Sequence, residues 1–388
     1  MKIQNILIKD IGGIKELDLK FNPGLNLICG MNGVGKTTIL ECIINTFSIY
    51  LSGSLKRSSR TERGSWEIII DGTISTHSLE KFSPREEDYN QSPLSNKSKS
   101  IVYVKEQRSI PYRQTNIMPD EIRDDNTYSQ YIVRGVQSET IKTWFINRAA
   151  FISQGRFTEA EVHNFEIAKR FFSMLDSDVK YSHIAHDTID IIIETTRGEV
   201  YLEYLSSGFK SCVYIVLGII KEIEFNFKNP NVKVDEFEGV ILIDEADAHL
   251  HPYWQGVFVT VLKEVFKKAQ IIATTHSPHM IQEANSDELI PLGIGLDGEV
   301  CLMDVIKNEY GFKGWTIEEI LEDVMGLKET QSNEYLTIKD KFEGALDTED
   351  LCTAKENYEI LKKMLHPRSP LKKIYELQLG TLGAEGVI

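Results

Sequence analysis

The sequence predicts an α/β fold: a mostly parallel central sheet, an antiparallel N-terminal β-subdomain, a helical insertion and a helical C-terminal appendage. Three observations carry this. An apolar run at 25–29 breaks into Gly30-Met31-Asn32-Gly33-Val34-Gly35-Lys36-Thr37, which fits G-x-x-x-x-G-K-[ST] at every fixed position and leads into an amphipathic segment. Two later apolar runs, 240–243 and 271–274, read as strands covered on both faces, as in a parallel sheet. Beyond about residue 304 the pattern turns helical and acidic, with eleven acidic and three basic residues over 317–350.

Taken in order, the chain opens with short strands at 3–8, 17–21 and 25–29, separated by Gly12-Gly13 and Asn22-Pro23-Gly24. A helix follows the glycine-rich loop to about Tyr50. A hairpin is expected at 66–70 and 73–79, turning at Asp71-Gly72. Residues 82–100 have no periodicity and read as a mobile loop, and 101–104 as a further strand. From 138 to 175 the spacing is helical, with Ile141, Trp144, Phe145, Phe165, Phe171 and Phe172 among the expected buried set. Strands at 188–194 and 200–204 precede a helix opened by Ser206-Ser207-Gly208. Its centre, 214–220, is apolar on nearly all faces and belongs inside the domain. A helix at 254–268 separates the two buried runs, and strands at 289–294 and 299–303 close the sheet. Thr316-Ile317-Glu318-Glu319 is a capping box, and further helices are expected at 353–365 and from Leu371. The division this suggests is a head over 1–304, with an insertion at about 53–185, and a helical C-terminal region over 305–388 that could bind a partner.

Composition narrows the function classes. The 388 residues are 41% hydrophobic and 26% charged, the profile of a globular protein, and no apolar run is long enough to span a bilayer. Five scattered cysteines without C-x-x-C spacing suit a reducing cytoplasm, the expected location. The net charge of −15 argues against a broad basic field for nucleic acid. A local groove stays open as an alternative, and the cluster Lys56, Arg57, Arg60 and Arg63 is either that or a solvated loop.

The chemistry-bearing residues fall in a fixed order. In the loop, glycines let backbone N–H groups approach an anion, the helix N-terminus adds positive potential, and Lys36 supplies a mobile cation. Asn32, Gly33, Val34, Gly35, Lys36, Thr37 and Thr38 are therefore the expected phosphate cradle of a nucleoside triphosphate, with the Thr37 hydroxyl placed for Mg²⁺. In GVILIDEADAHLHP a strand ends in two carboxylates, Asp244 for the metal and Glu245 as general base. Ser206, Ser207 and Gly208 are either an anion site at a helix N-terminus or a plain N-cap. His276, closing the second buried strand in TTHSP, is a candidate contact for the γ-phosphate. A glutamine linking the metal to the insertion is expected at Gln107, with Gln154 in FISQGRF as the alternative.

LSSG, ILIDE and TTHSP behind the glycine-rich loop make the chain resemble the ABC-type ATPases. DEADAHLHPYWQ and QIIATTHSPHMI resemble their RecF-like and OLD-like branch, whose ATPase heads serve DNA repair and phage defence. The resemblance covers about 1–304 and implies ATP with Mg²⁺ as ligands. It also implies a head-to-tail homodimer in which each nucleotide, on one copy's residues 30–38, meets Ser206, Ser207 and Gly208 of the other. Glu245 would then activate water and His276 would sense the γ-phosphate. Two residues depart from the pattern: Phe209, where transporter signatures carry Gln or Glu, and His251, in the place of the aspartate that ends the loop after the glutamate.

The other classes fit less well. Asn96-Lys97-Ser98-Lys99 lacks the Asp of a GTPase N-K-x-D motif, no sustained heptad lies between Gln107 and Ser206, and the tail is short for a Toprim nuclease. The tail, with AKENYEILKKML, resembles that of defence ATPases that work beside a separate HNH nuclease. The expectation is an ATPase that regulates such an effector. A RecF-type clamp on duplex DNA is the alternative.

Overall fold

The computed structural model describes residues 1–49, 54–84, 92–112, 123, 125–228, 230–306, 308–327 and 330–385. Its elements run β1 (Ile3–Ile11), β2 (Ile14–Lys20), β3 (Leu25–Gly30), α1 (Lys36–Phe47), β4 (Gly64–Ile70), β5 (Thr73–Leu79), β6 (Ile101–Val104), α2 (Asp125–Arg134), α3 (Ser138–Phe151) and α4 (Glu159–Leu175). Then come β7 (Lys180–Ile184), β8 (Ile191–Thr195), β9 (Gly198–Tyr201), α5 (Ser207–Asn226), β10 (Val240–Ile243), α6 (Pro252–Val265), β11 (Gln270–Thr275) and α7 (Pro278–Gln282). The chain ends with β12 (Leu289–Ile294), β13 (Val300–Leu302), α8 (Ile317–Glu319), α9 (Asn333–Asp347), α10 (Leu351–Met364) and α11 (Leu371–Glu385). The fold is α/β, as the sequence predicts.

The six-stranded central sheet has the order β13-β12-β3-β11-β10-β6. All of its neighbours are parallel except β13, which runs antiparallel to β12. Side chains alternate across it, as the pleat requires. Leu27, Cys29, Ile241, Ile243, Ile271 and Ala273 join a core with helices α3 to α6. Ile28, Val240, Leu242 and Ile272 join a second core with α1 and the β1, β2 and β4 strands. Both faces are covered, so the buried strands carry uninterrupted apolar runs. β2-β1-β4-β5 form the antiparallel N-terminal sheet, and β7-β8-β9 a smaller one. The β4–β5 turn uses Asp71 and Gly72 at φ 48° and 77°, the left-handed pair a tight hairpin needs.

α5 is buried along its length and carries charge at its C-terminal end, where each charged group has a partner. Trp144 Nε1 and Arg148 Nη2 each donate to Glu224 Oε2 at 2.8 Å, yet burial pushes the Glu224 carboxyl up to about 7. Nearby, the Lys142 ammonium of α3 pairs with Asp190 and, at 2.6 Å, with Glu203 Oε1. Burial opposes its charge, but the two carboxylates outweigh that and hold its pKa above the usual lysine value.

Three features differ from expectation. α2 and β7 were not anticipated, because DNTYSQYIVR and KYSHI carry too few apolar residues to show a period. Within the expected loop at 82–100, residues 85–91 lie outside the described set, and Ser95–Ser100 form a 3₁₀ turn. Finally, contacts divide the chain into Met1–Gly326 and Leu327–Ile388, later than the expected division at 304/305. The capping box at Thr316 forms, and the π-turn after it, Ile320–Val324, places Ile320, Val324 and Met325 in the core of the first unit beside Phe312. The second unit is a three-helix assembly closed on its own core of Tyr335, Phe342, Ala354, Tyr358, Leu361 and Tyr375. No helix among the described residues is long and apolar enough to cross a membrane.

Candidate functional site

Four parallel strands, β3, β6, β10 and β11, end at one edge of the central sheet, the edge where α/β folds bind ligands. The chain leaving each strand supplies one part of the site. After β3 comes the glycine-rich loop. Gly30, Gly33 and Gly35 have φ of 138°, 84° and 86°, a backbone that turns successive N–H groups toward one anion. A Cβ on Gly30 would stand 2.2 Å from the Leu292 carbonyl oxygen of the neighbouring strand, so only glycine fits. Lys36, first residue of α1, donates through Nζ to the carbonyls of Gly30 and Met31, both at 3.0 Å. Burial lowers its pKa, opposed by the charges of Glu245 and Asp244.

After β10 come Asp244 and Glu245. Asp244 is buried, and its Oδ1 accepts from Thr274 Oγ1 at 2.7 Å and Thr37 Oγ1 at 3.2 Å. The geometry thus brings together the two residues expected to hold Mg²⁺. Hard oxygen donors from a carboxylate and a hydroxyl suit that ion. Gln107 lines the same cleft, of about 510 Å³, with Thr37, Thr38, Glu106 and Asp244. Gln154 is not among its lining residues and is exposed in a 3₁₀ turn after α3. Glu245 is half-buried, and burial with the neighbouring carboxylates Glu106, Asp244 and Asp247 raises its pKa, the direction that makes a better proton acceptor.

After β11 comes His276. Its backbone N–H donates to Asp247 Oδ1 at 3.0 Å, beside Thr275 Oγ1 on the same oxygen at 2.7 Å. Burial and the Lys36 charge lower the imidazole pKa, the direction that favours the neutral ring. Lys36, Asp244, Glu245, Asp247 and His276 therefore share one electrostatic site.

Ser206, Ser207 and Gly208 do not line that cleft. Ser206 caps α5, its Oγ accepting from Phe209 N–H at 3.2 Å, and Ser206 and Ser207 are exposed. Gly208 backs onto the loop after Glu245, where a Cβ would lie 2.7 Å from the His249 carbonyl oxygen, and Ser211 Oγ donates to Ala248 O at 3.2 Å. Phe209 fills the space between Phe172 and Trp254, with centroids at 6.2 and 5.6 Å, so the first departure from the signature is a core residue. His251, the second, caps α6 through Nδ1, which accepts from Tyr253 N–H at 3.3 Å.

Sequence reasoning missed Arg108, Thr274 and Asp247 as parts of the site. Asp247 and Thr274 lie within motifs already singled out, where a second polar residue invites the question of what it holds. Arg108 carries no sequence signal, because its role depends on the loop after β6 folding back over the end of β10.

A family model described as an AAA domain matches residues 5–245. Septu protein PtuA of Bacillus thuringiensis is 45% identical over 389 residues, covering 98% of each chain. Retron Vc95 probable ATPase of Vibrio cholerae serotype O1 biovar El Tor is 31% identical over 147 residues, 38% of this chain and 27% of that one. The SMC head domain from Thermotoga maritima shares 15% identity, with a TM-score of 0.43 over 79% of this chain and 100% of that one. With the phosphate loop and the paired carboxylates at one sheet edge, the AAA-domain match and the likeness to PtuA over 98% of each chain place the chain in the PtuA family of AAA-domain proteins, as an ATPase.

Proposed function

We propose that ATP binding drives two copies of this chain together head to tail, and that the paired state regulates a separate nuclease, of HNH type, in defence against phage. The observation that carries the reading is a split in the machinery. Lys36, Thr37, Asp244, Glu245 and His276 gather at the sheet edge where β3, β10 and β11 end, while Ser206 and Ser207 stand exposed at the start of α5. Tyr204, 79% exposed, precedes the signature, and Tyr253, 68% exposed, lies next to Trp254, which packs on Phe209. Exposed aromatic residues beside a polar helix N-terminus suit a surface that a second copy covers.

In this reading residues 32–38 cradle the phosphates, and Lys36 exchanges its two carbonyl partners for phosphate oxygens. Thr37 and Asp244 would hold Mg²⁺, with Gln107 beside them. The ion would supply charge neutralisation on the phosphate oxygens. Glu245 takes a proton from the attacking water as the bond between the γ-phosphorus and its bridging oxygen breaks, giving ADP and phosphate. His276, neutral, offers a ring N–H toward the γ-phosphate. Ser206, Ser207 and Gly208 of the second copy close the site, and hydrolysis reopens it.

The test uses Glu245→Gln and Ser207→Arg with light scattering. Glu245→Gln should bind ATP, lose turnover and accumulate as an ATP-dependent dimer. Ser207→Arg should bind ATP as a monomer. A Glu245→Gln protein that hydrolyses ATP at the wild-type rate removes the base assignment. ATP-independent size in every variant removes the dimer. Co-purification of a neighbour-encoded HNH protein supports the effector reading, and tight ATP-dependent binding of duplex DNA by the chain alone supports the clamp instead.

A further inference from the structure

Glu245 adopts φ 47°, the left-handed region that a non-glycine side chain enters only at a cost of about 1–3 kcal/mol unless its surroundings over-determine it. Here both of its main-chain polar groups are held by buried side chains. Its N–H donates to Thr274 Oγ1 at 2.7 Å. Its carbonyl accepts from Arg108 Nη2 at 3.0 Å, in addition to the turn bond from Ala248 N–H at 2.8 Å. The same Nη2 donates to the Asp244 carbonyl, and Arg108 Nε to the Lys105 carbonyl at 3.0 Å. Arg108 is only 8% exposed, and its contacts are main-chain oxygens and not a paired carboxylate. A charged guanidinium buried without a counter-ion in contact is costly, so its presence calls for a compensating role. Its remaining nitrogen, Nη1, is buried with no protein hydrogen-bond partner, a feature that calls for an explanation beyond packing.

We propose that Arg108 is a positioning residue for hydrolysis: its Nη2 clamps the carbonyls of Asp244 and Glu245, so that the strained turn holds the Glu245 carboxylate in place at the sheet edge beside Asp244. The clamp also has a direction. Glu106 and Gln107, two residues and one residue before it, line the cleft with Thr37 and Asp244. Whatever settles against Gln107 therefore pulls on the segment that holds Glu245. Without the clamp the turn relaxes toward right-handed φ, and the carboxylate swings off line while the phosphate cradle is untouched.

This rests on Glu245 being the base, and the experiment separates the two ideas. Steady-state and single-turnover hydrolysis are measured for Arg108→Met, Arg108→Lys, Glu245→Gln and the Arg108→Met/Glu245→Gln double variant, with binding of a non-hydrolysable ATP analogue as a second readout. Arg108→Met should lower kcat by roughly tenfold or more, since sub-ångström misplacement of a reacting group costs about that much. KM and analogue affinity should stay within about twofold of wild type, because binding in the ground state is untouched. Arg108→Lys, which keeps one donor, should fall between. The double variant should hydrolyse no more slowly than Glu245→Gln, because the clamp acts only through the carboxylate. Equal fractional losses in both backgrounds, loss of analogue binding with kcat, or an unchanged kcat in Arg108→Met each overturn the proposal. If Arg108→Met does not fold, Arg108→Lys in both backgrounds decides by the same comparison. If Glu245→Gln alone turns over normally, the base assignment fails and not the clamp.

Discussion

Lys142→Met is the most direct test of how the helical lobe is held to the signature. Among the described residues, Lys142 is the side chain bonded to the carboxylates of both Asp190 and Glu203, whose side chains are 1% and 6% exposed. Asp190 Oδ2 and Glu203 Oε2 already lack partners, so removing the ammonium leaves two buried carboxylates with no compensation. Breaking a buried pair in this way costs roughly 3–5 kcal/mol. There is an escape, since a carboxylate can take a proton. From a reference pKa near 4 that costs about 5 kcal/mol at pH 7.5 and about 2 kcal/mol at pH 5.5. The folded variant then binds more protons than its unfolded chain, so its stability rises relative to wild type as pH falls. The expected deficit is about 4 kcal/mol at pH 7.5 and about half that at pH 5.5. Urea unfolding followed by tryptophan fluorescence at both pH values measures it. A deficit below about 1 kcal/mol at pH 7.5, or one that does not shrink on acidification, refutes the reasoning. Glu203 lies three residues before Ser206 and its carbonyl accepts from Lys210 Nζ at 2.9 Å, so the variant should also weaken ATP-dependent self-association.

Two further outcomes follow from the site. Gly30→Ala drives a Cβ to 2.2 Å from the Leu292 carbonyl oxygen at φ 138°, so it should destabilise the head by about 2 kcal/mol or more and abolish nucleotide binding. Thermal melts with and without ATP read both effects. Chelation of divalent ions should stop hydrolysis, and adding back Mg²⁺ should restore it. Asp244→Asn should raise the Mg²⁺ concentration needed for half-maximal activity by about tenfold or more.

What was legible in the sequence followed from local chemistry. The phosphate loop, the turn at Asp71-Gly72, the capping box at Thr316 and the uninterrupted strands β10 and β11 each owe their form to residues within a few positions, so motif and period reveal them. The unread parts depend on distant partners. β7 and α2 are too polar to carry a period, and they owe their place to the lobe around them. Arg108 could not be singled out, because a lone arginine after a strand becomes informative only when the neighbouring strand's carbonyls are seen above it. Gln107 and Gln154 could not be separated by sequence for the same reason. The cleft lining includes Gln107 and not Gln154, because β6 pairs with β10 and carries its C-terminal end to Asp244. The weak run from Phe312 to Met325 folds back into the main core, a placement set by distant partners and not by any local period.

The strand order also has a consequence for synthesis. β3, which launches the phosphate loop, pairs with β11 and β12 and with no strand nearer in the chain. The antiparallel β1, β2, β4 and β5 can close as soon as residue 79 emerges, but β3 waits about 200 residues longer for its partners. At ordinary elongation rates of about 5–20 residues per second, that is on the order of 10–40 s with both edges of a strongly apolar strand unpaired. A chain cut short before β11 therefore holds an intact phosphate-loop sequence and no nucleotide site.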